Sequence, residues 1–236
     1  MTAVGSSPFP SSHVQTCRWP RLFPTAPCSI ALVGPLDGAR MEVERHVAAC
    51  YGSTYGARLT HFLPWFLTLE YLGALTGVVG MQVADENALF LERYLECPVE
   101  LALSERLGQC VARGAVVEIG NLVAAKRGAS QLLFLLFTTI LHLAGYQWIV
   151  FTATRALRNN LEKLGFPLLE LQPVEPARLD PALLKQWGSY YHAEPVVMVG
   201  SLAAAVELSA QQPRLRQALR LYQDQIATLA GQLNRM

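Results

Sequence analysis

The chain has 236 residues, of which 52% are hydrophobic and only 16% are charged. This composition excludes a disordered chain, because disorder requires low hydrophobicity and high charge. The 19 basic and 18 acidic residues leave a net charge of +1, which argues against a nucleic-acid binder that works by neutralising phosphates. A membrane protein, a membrane-active protein and an enzyme with an apolar substrate are all compatible with these values.

The cysteines and histidines show no pattern typical of a disulfide scaffold or a metal site. The 5 cysteines are widely spaced without a C-x-x-C pair, and the 5 histidines include no H-E-x-x-H motif. We therefore expect no metal. Residues 1–27 have no apolar core behind a basic start, which indicates a flexible N-terminal arm rather than a secretory signal, and we expect a cytoplasmic protein.

The hydrophobic patterns predict a series of short elements along the chain. In chain order they are a strand at Ser29–Val33, a helix at Met41–Cys50, strands at Trp65–Tyr71 and Ala74–Val83, helical segments at Ala88–Glu96 and Pro98–Leu107, a strand at Ala115–Ala124, a helix ending near Ala144, a strand at Trp148–Thr154, a helix at Arg155–Leu164, and strands at Leu168–Val174 and Pro195–Leu202. Strands and helices alternate over 115–174, which predicts an α/β fold with parallel pairing at its centre.

The apolar run over 132–151 is about long enough to span a membrane. Gly145, Tyr146 and Gln147 interrupt it, and the part after them is rich in β-branched and aromatic residues. We therefore interpret this run as a buried helix followed by a central strand.

Apolar side chains recur at alternating spacings of four and three over the last segment, 214–236. They are Leu215, Leu219, Tyr222, Ile226, Leu229 and Leu233. This pattern predicts an amphipathic helix that either docks on its own domain or associates with a second copy in a homodimer. We place the main domain at 28–204 and the C-terminal amphipathic helix at 205–236.

The turn after the strand at 115–124 has the features of an anion-binding segment. Lys126 and Arg127 supply positive charge, and Gly128 with the small Ala129 and Ser130 lets the backbone approach a ligand closely. A long helix begins here, and the free N–H groups and dipole at its N-terminus suit a pyrophosphate. Because strand-turn-helix segments with a small residue are common, this motif alone is a weak signal.

Together with the segment that follows, the turn resembles the GNAT acyltransferases. Arg127–Ser130 fits their R-G-x-G phosphate loop, with Ser130 in place of the second glycine, and E-K-L-G-F at Glu162–Phe166 resembles their closing motif. The resemblance implies a GNAT-like mixed sheet whose central parallel strands splay around the pantetheine arm of an acyl thioester. The general-acid tyrosine of many such enzymes is not carried over, because Leu161 stands at that position.

A second resemblance narrows the family. Val117–Leu122 looks like the E-x-x-R-F strand of acyl-homoserine-lactone synthases, with Asn121 and Leu122 in place of the Arg-Phe pair. Over about 40–202 the chain is most similar to the thermostable hemolysin family. The matching blocks are YGARLTHFLPWFL (55–67), LFLERYLECPVE (89–100), VVEIGNLVA (116–124), FTATRALRNNLEKLG (151–165) and WGSYY (187–191). The family name implies lysis of blood cells, whereas the GNAT-like pattern implies acyl transfer.

The sequence favours an enzyme over a lysin. A lysin would need an export signal, an insertion helix or a barrel-forming alternation, and the C-terminal amphipathic helix is its sole support. That helix carries Arg214, Arg216, Arg220 and Arg235 on its polar side and could lie on a membrane. We expect an N-acyltransferase that moves an acyl group from a CoA or acyl-carrier-protein thioester to an amine, with a non-catalytic membrane-active lysin as the alternative.

The acyltransferase interpretation gives roles to individual residues. Glu118 would accept the proton of the attacking amine, directly or through water, or else be a buried structural carboxylate. Asn121 would orient the acceptor or a water, or cap the end of its strand. Backbone N–H groups would polarise the thioester, and an acidic acyl carrier protein would meet the basic pair of the turn. The predicted donor-binding residues are Leu122, Val123, Ala124, Lys126, Arg127, Gly128, Ala129, Ser130 and Asn160.

Acceptor recognition is expected mainly from the block before the central strand. Glu92 would hold the ammonium group of the acceptor or be a solvated helix acid, and Arg58 would pair with a carboxylate. The other predicted acceptor-binding residues are Tyr94, Glu100, Thr152, Tyr190 and Tyr191, of which the two last are equally consistent with simple packing. Leu and Phe residues of 62–72 and 132–143 would supply an apolar tunnel for a long acyl chain, or simply form the core.

Overall fold

The computed structural model describes residues 28–235, except for 86, 125–128 and 164. A 7-stranded sheet has the spatial order β1-β2-β3-β4-β5-β7-β6. The strands are β1 (Ser29–Val33), β2 (Trp65–Tyr71), β3 (Ala74–Val83), β4 (Val116–Ala124), β5 (Trp148–Ala153), β6 (Leu168–Pro173) and β7 (Val196–Ser201). Neighbouring strands are antiparallel except β4 and β5, which run parallel at the centre. The predicted α/β fold with central parallel pairing is confirmed; the predicted arm at 1–27 lies outside the described residues.

Helices cover both faces of the sheet. They are α1 (Arg40–Tyr55), α2 (Val99–Leu107), α3 (Ala129–Leu143), α4 (Arg155–Lys163), α5 (Pro181–Gln186), α6 (Leu202–Gln211), α7 (Pro213–Leu221) and α8 (Gln223–Leu233). The large apolar core joins α3, α4 and α6–α8 to one face, and two smaller clusters join α1 and α2 to the other. Side chains of β4 alternate between these layers, since Val117 and Ile119 lie in the large core whereas Val116 and Val123 lie in the smaller clusters.

The apolar run over 132–151 folds as a helix and a strand, as predicted. All residues of α3 from Leu132 to Leu141 are buried, and β5 lies in the sheet between β4 and β7. Gly145, with a φ of +92°, follows the end of α3 and turns the chain towards β5. Within the described part of the chain, no helix has both the length and the hydropathy that a membrane span requires.

The central strands separate after a short paired stretch, and this opens the sheet. Pairing of β4 with β5 ends where Glu118 lies opposite Val150. Beyond that point β4 follows β3 and β5 follows β7, so the two halves of the sheet part. A bulge at Asn121 and Leu122, which together oppose Val79, bends β4 in the same region.

The segment Ala88–Glu96 forms a 3₁₀ turn over Phe90–Tyr94 rather than the predicted helix. Carboxylates of Glu118 and Glu92 accept backbone N–H groups at the start of this turn. These bonds tie the turn to the neighbouring strand and fix it as a short element, so tertiary contacts override the local helical pattern.

The C-terminal segment is a run of three helices, which corrects the prediction of a single helix over 205–236. α6 begins at Leu202, where the hydroxyl of Ser201 caps the helix by accepting the N–H of Ala204 at 3.2 Å. The domain boundary expected after residue 204 therefore falls inside a helix. The chain breaks again at Tyr222, between α7 and α8.

The apolar side of this tail packs on its own domain. All positions of the predicted apolar pattern are buried except Leu219, which is half-buried, and they belong to the core that surrounds α3. The hydroxyl of Tyr222 accepts the N–H of Cys28 at 3.1 Å, and the side chain of Gln225 accepts the N–H of Ile30 at 3.1 Å. Of the two interpretations of the pattern, these contacts support docking within the chain, because they use the surface that a homodimer would need.

Shortening a tail side chain tests this packing. Ile226 is 3% exposed in the core, so Ile226→Ala is expected to lower the free energy of unfolding in urea by about 2–5 kcal/mol. Leu221→Ala is the matched control, because Leu221 is 61% exposed and its truncation should change stability by less than about 0.5 kcal/mol. Equal effects, or a loss that depends on protein concentration, would instead indicate a tail that associates with a second copy.

Candidate active site

The gap between the separated strands opens into a cleft of about 380 Å³, within the usual size range of small-ligand pockets. One group of lining residues, here called the helix side, comes from α3 and α4 and consists of Ser130, Phe134, Ala156, Leu157 and Asn160. A second group, called the aromatic side, consists of Tyr51, Tyr55, His61, Phe90, Tyr94, Trp187 and Tyr190. Residues of β4 and β5 lie in the lining together with both groups.

Glu118 is a buried carboxylate at the point where β4 and β5 part. The residue is 5% exposed and belongs to the lining of the cleft. One carboxylate oxygen accepts the N–H of Phe90 at 2.7 Å, and the other accepts the N–H of Leu91 at 3.1 Å. Burial raises the pKa of Glu118 to about 7, against the opposing effect of these two N–H groups. A carboxyl group with this pKa can take up and release a proton near neutral pH, as a general base must.

Asn121 holds the wall of the cleft in place. It occupies the bulge in β4 with a φ of +48°, a left-handed conformation that asparagine tolerates better than most residues. Its Oδ1 accepts the N–H of Leu63 at 2.9 Å and fixes the loop 56–64 to the sheet. Gly80 leaves room for it, since a Cβ there would lie 3.0 Å from that oxygen. Asn121 lines the cleft as predicted, but its oxygen makes a capping bond to the loop.

Hydroxyl pairs organise the tyrosines that the sequence predicted. The hydroxyl oxygens of Tyr94 and Tyr191 are 2.8 Å apart, and the hydroxyls of Tyr190 and Thr152 are 3.1 Å apart. Tyr94, Tyr190 and Thr152 line the cleft, whereas Tyr191 adjoins the lining through its bond to Tyr94. Burial raises the pKa of Tyr94 and of Tyr190, so both phenols are protonated at neutral pH.

Tyr51 and Tyr55, on the last turns of α1, are lining residues that the sequence analysis missed. Because the two tyrosines are four residues apart, both lie on one face of the helix, and this spacing is the sequence feature that could have indicated them. Burial, with smaller effects of Tyr190 and Tyr55, raises the pKa of Tyr51 against the opposing effect of the nearby Leu122 backbone N–H. A protonated phenol therefore lies beside one of the backbone N–H groups expected to polarise the thioester.

Trp187 is a further lining residue that was not predicted, although it begins the WGSYY block. Backbone bonds tie the segment around it to the end of α1 and to the loop 56–64. Gly188 makes this approach possible, because its φ is +56° and a Cβ there would meet the carbonyl oxygen of Tyr55. The Trp187 ring is thereby held 5.8 Å from the ring of Phe90, measured between centroids.

The predicted donor-binding residues divide into three groups in the structure. Those that line the cleft are Leu122, Ala124, Ser130 and Asn160. The side chain of Val123 lies in the cluster between the sheet and α1, and Ala129 packs against the large core; the backbone roles predicted for both stay predictions. Those outside the described residues are Lys126, Arg127 and Gly128.

Glu92 and Glu100 are not among the lining residues, which corrects the expectation of acceptor-binding acids. The guanidinium of Arg113 lies 2.6 Å from a carboxylate oxygen of each. Glu92 also accepts the N–H groups of Leu89 and Val99, where the 3₁₀ turn and α2 begin. Burial would raise the pKa of Glu92, but Arg113 and the two N–H groups outweigh it and hold this pKa below its ordinary value. Both acids fix the structure beside the cleft.

The lining carries little charge. Arg58, expected to pair with an acceptor carboxylate, is exposed and lies outside the lining. Among the described residues the lining holds no Lys or Arg, and Glu118 is its carboxylate. The described part of the chain also contains no group of three or more His, Cys, Asp or Glu side chains that could hold a metal ion.

Comparison with known proteins fits this architecture. Residues 33–206 match the thermostable hemolysin family. The chain belongs to that family. A search of curated proteins gives no match.

Solved structures with a similar fold include acyl-transfer enzymes. FeeM, an N-acyl amino acid synthase from uncultured soil microbes, is 14% identical with a TM-score of 0.54, over 80% of this chain and 96% of FeeM. TofI, solved in a ternary complex with an inhibitor and MTA, is 11% identical with a TM-score of 0.51, over 80% of this chain and 100% of TofI. BjaI, a CoA-dependent acyl-homoserine lactone synthase, is 13% identical with a TM-score of 0.50, over 89% of this chain and 100% of BjaI. At these identities the likeness establishes the fold, and the predicted GNAT-like class is confirmed.

The structural role of Glu92 can be measured through its pH dependence. Because its pKa is lowered in the folded state, its carboxylate stabilises the fold above the ordinary glutamate pKa, and this contribution is lost as the pH falls. Glu92→Gln is expected to lower the free energy of unfolding by about 1–3 kcal/mol at pH 7, with the difference from wild type shrinking below about pH 4. Glu96→Gln is the control, since the exposed Glu96–Arg178 pair should contribute at most about 1 kcal/mol. A pH-independent loss would contradict the assigned role.

Proposed function

We propose that this chain is an N-acyltransferase that transfers an acyl group from a CoA or acyl-carrier-protein thioester to an amine. The observation that carries the proposal is the buried Glu118, poised near neutral pH in a cleft between splayed central strands. Proteins with the same fold support it, because FeeM is described as an N-acyl amino acid synthase and BjaI was solved with SAM and isopentyl-CoA.

The reaction would proceed by direct attack of the amine on the thioester. The amine nitrogen forms a bond to the carbonyl carbon, the C–S bond breaks, and the products are an amide and a free thiol. Glu118 would take the proton that the amine loses, directly or through one water. The raised pKa of Glu118 makes its carboxylate more basic than an exposed one, while its two N–H partners keep it oriented.

Donor binding would use the splayed strands and the start of α3. The N–H of Leu122 would polarise the thioester carbonyl, and Ser130 in the first turn of α3 would lie near the phosphates. We retain Lys126 and Arg127 as proposed phosphate or carrier-protein contacts. Of the two apolar segments expected to form a tunnel, Leu63 and Phe134 reach the lining, where they would contact the acyl chain.

Tyr51 would protonate the departing thiolate. Leu161 removes the tyrosine that serves in many GNAT enzymes, and Tyr51 brings a phenol from α1 to the same cleft. Burial raises the pKa of Tyr51, so its phenol stays protonated at neutral pH, and it lies near the Leu122 N–H that would polarise the carbonyl. After transfer, the phenol would regain a proton from solvent or from Glu118.

The lysin alternative has lost its support within the described residues. It depended on the apolar side of the C-terminal segment, and that side is buried against the core. A cytoplasmic location and a homodimer stay predictions, and a dimer would have to use a surface other than this one.

Catalysis by Glu118 predicts a specific pH profile. Thiol release from acyl-CoA in the presence of amines is expected to fall by about 10² or more in Glu118→Gln. The ratio of wild-type to variant kcat/KM should rise with pH through about 7, because only the carboxylate form of Glu118 can accept a proton. Ionisation of the amine affects the wild type and the variant equally, so its pH dependence cancels in this ratio.

Controls separate this role from lysis and from misfolding. Glu105→Gln, on the exposed face of α2, should match the wild type in thiol release. Dye-loaded liposomes should stay intact with every variant, and leakage that survives Glu118→Gln would favour the lysin. Unchanged turnover in a folded Glu118→Gln protein would remove Glu118 from the mechanism.

The proposed proton transfer from Tyr51 depends on the leaving group. Tyr51→Phe is expected to lower kcat with acyl-CoA by about 10², because the alkyl thiolate then leaves without a proton. An aryl thioester needs no such proton, so the loss should largely disappear with that donor. Tyr146→Phe is the control, since Tyr146 packs outside the cleft lining. An equal loss with both donors would indicate a packing role for Tyr51.

A further inference from the structure

The aromatic side of the cleft restricts which amines can reach Glu118. Its described lining residues present rings and hydroxyl groups without a lysine or arginine. Trp187, Tyr190 and Tyr55 form a run of ring contacts, with centroids 5.1 Å apart for Trp187 and Tyr190 and 5.3 Å apart for Tyr55 and Tyr190. The faces of such rings are electron-rich, so they attract cations and disfavour anions.

Neutral hydroxyl groups on this side cannot replace a missing cation, and two of its four tyrosine hydroxyls already have partners. The hydroxyls of Tyr94 and Tyr190 are already paired with Tyr191 and Thr152, respectively. A carboxylate that entered here would lose its hydrating water, would contact aromatic rings instead, and would lie close to the carboxylate of Glu118. Burial of an unpaired charge beside a like charge is strongly unfavourable.

Among the described residues, Arg93 and Arg113 come close to the segments of the aromatic side but lie outside the lining. Arg93 is exposed, and its guanidinium carbon stands 5.1 Å from the centre of the Phe90 ring, which it covers by a cation–π contact. Arg113 is engaged by Glu92 and Glu100. Neither residue belongs to the lining of the cleft.

We infer that the acceptor is a primary amine on an aromatic or other apolar body that carries no carboxylate group. This inference rests on the proposed acyl transfer and names the substrate class of the same site. The ammonium form would be drawn to the ring faces and to Glu118, and the apolar body would pack against Trp187 and Phe90. The chain would thus differ in its acceptor from an N-acyl amino acid synthase, although it shares that fold.

A series of three matched amines tests the inference. Tyramine, L-tyrosine methyl ester and L-tyrosine share the phenol ring and the amine, but only L-tyrosine carries a carboxylate. With acyl-CoA as donor, kcat/KM for tyramine and for the ester should each exceed that for L-tyrosine by 10² or more. The ester separates the effect of charge from that of size. A value for L-tyrosine within threefold of tyramine would overturn the inference.

Calorimetry without any acyl donor separates this inference from the proposed function. Tyramine should bind the full chain at least tenfold more tightly than L-tyrosine, and Trp187→Leu should reduce the difference whereas Trp187→Phe keeps it. Selective binding without thiol release from any acyl-CoA would refute the proposed reaction but not the acceptor class. Turnover of amino acids with no preference for tyramine, or no binding of any of the three, would refute the acceptor class.

Two charge variants complete the test. His61 is exposed and stacks against Phe90 with 6.2 Å between ring centroids, so His61→Arg would add a permanent cation beside the aromatic side. This change should raise the use of L-tyrosine relative to tyramine at least tenfold. Arg93→Gln should leave the ratio unchanged. A selective loss of L-tyrosine turnover in Arg93→Gln would show that Arg93 holds an acceptor carboxylate.

Discussion

The parting of β4 from β5 is the constraint on which the rest of this structure depends. Both strands remain paired along their other edges, β4 with β3 apart from the bulge and β5 with β7, so each can leave the other without exposing both of its edges. The cost of the unpaired backbone groups is limited to one short gap. That gap is where the cleft forms, and a ligand that lies along it can satisfy the free N–H and C=O groups.

Glu118 connects this gap to the chain that covers it. As the last residue of β4 paired with β5, it stands at the apex of the gap, and its carboxylate accepts N–H groups from the 3₁₀ turn at Phe90–Tyr94. The same side chain therefore fixes the turn and presents a proton acceptor to the cleft. These tasks compete, since N–H bonds stabilise the charged form that burial disfavours. The balance leaves a pKa near 7, which neither effect would give alone.

Local sequence patterns predicted much of the fold because each strand is bounded by residues that end it. The hairpin of β2 and β3 has the predicted bounds, whereas Glu118 and Asn121, which line the cleft, were singled out through the family resemblance of the β4 segment. Contacts between distant segments could not be predicted in this way. Arg113 binds Glu92 across 21 residues, and no local pattern shows that this pair removes Glu92 from the lining.

The C-terminal tail shows how a correct pattern can yield a wrong element. Its apolar positions keep a helical spacing through the break at Tyr222, because α7 and α8 bury their apolar faces in the same core. The spacing of apolar residues shows which face of a helix is buried. It does not reveal a break in the helix when the same face stays buried on both sides of the break. The break itself serves packing, since it lets Tyr222 reach the N–H of Cys28 next to β1.

The described lining of the cleft carries little charge, as does the whole chain. Among the described lining residues, one carboxylate lies between rings and aliphatic side chains in a medium of low polarity, where Coulomb interactions are stronger than in water. One buried charge can then attract an ammonium group and repel a carboxylate without further ionic residues around it. Additional lysines or arginines in the lining would lower the pKa of Glu118 and weaken it as a base. The sparse charge is therefore a condition of the proposed chemistry, because it sets both the basicity of Glu118 and the kind of amine that can approach it.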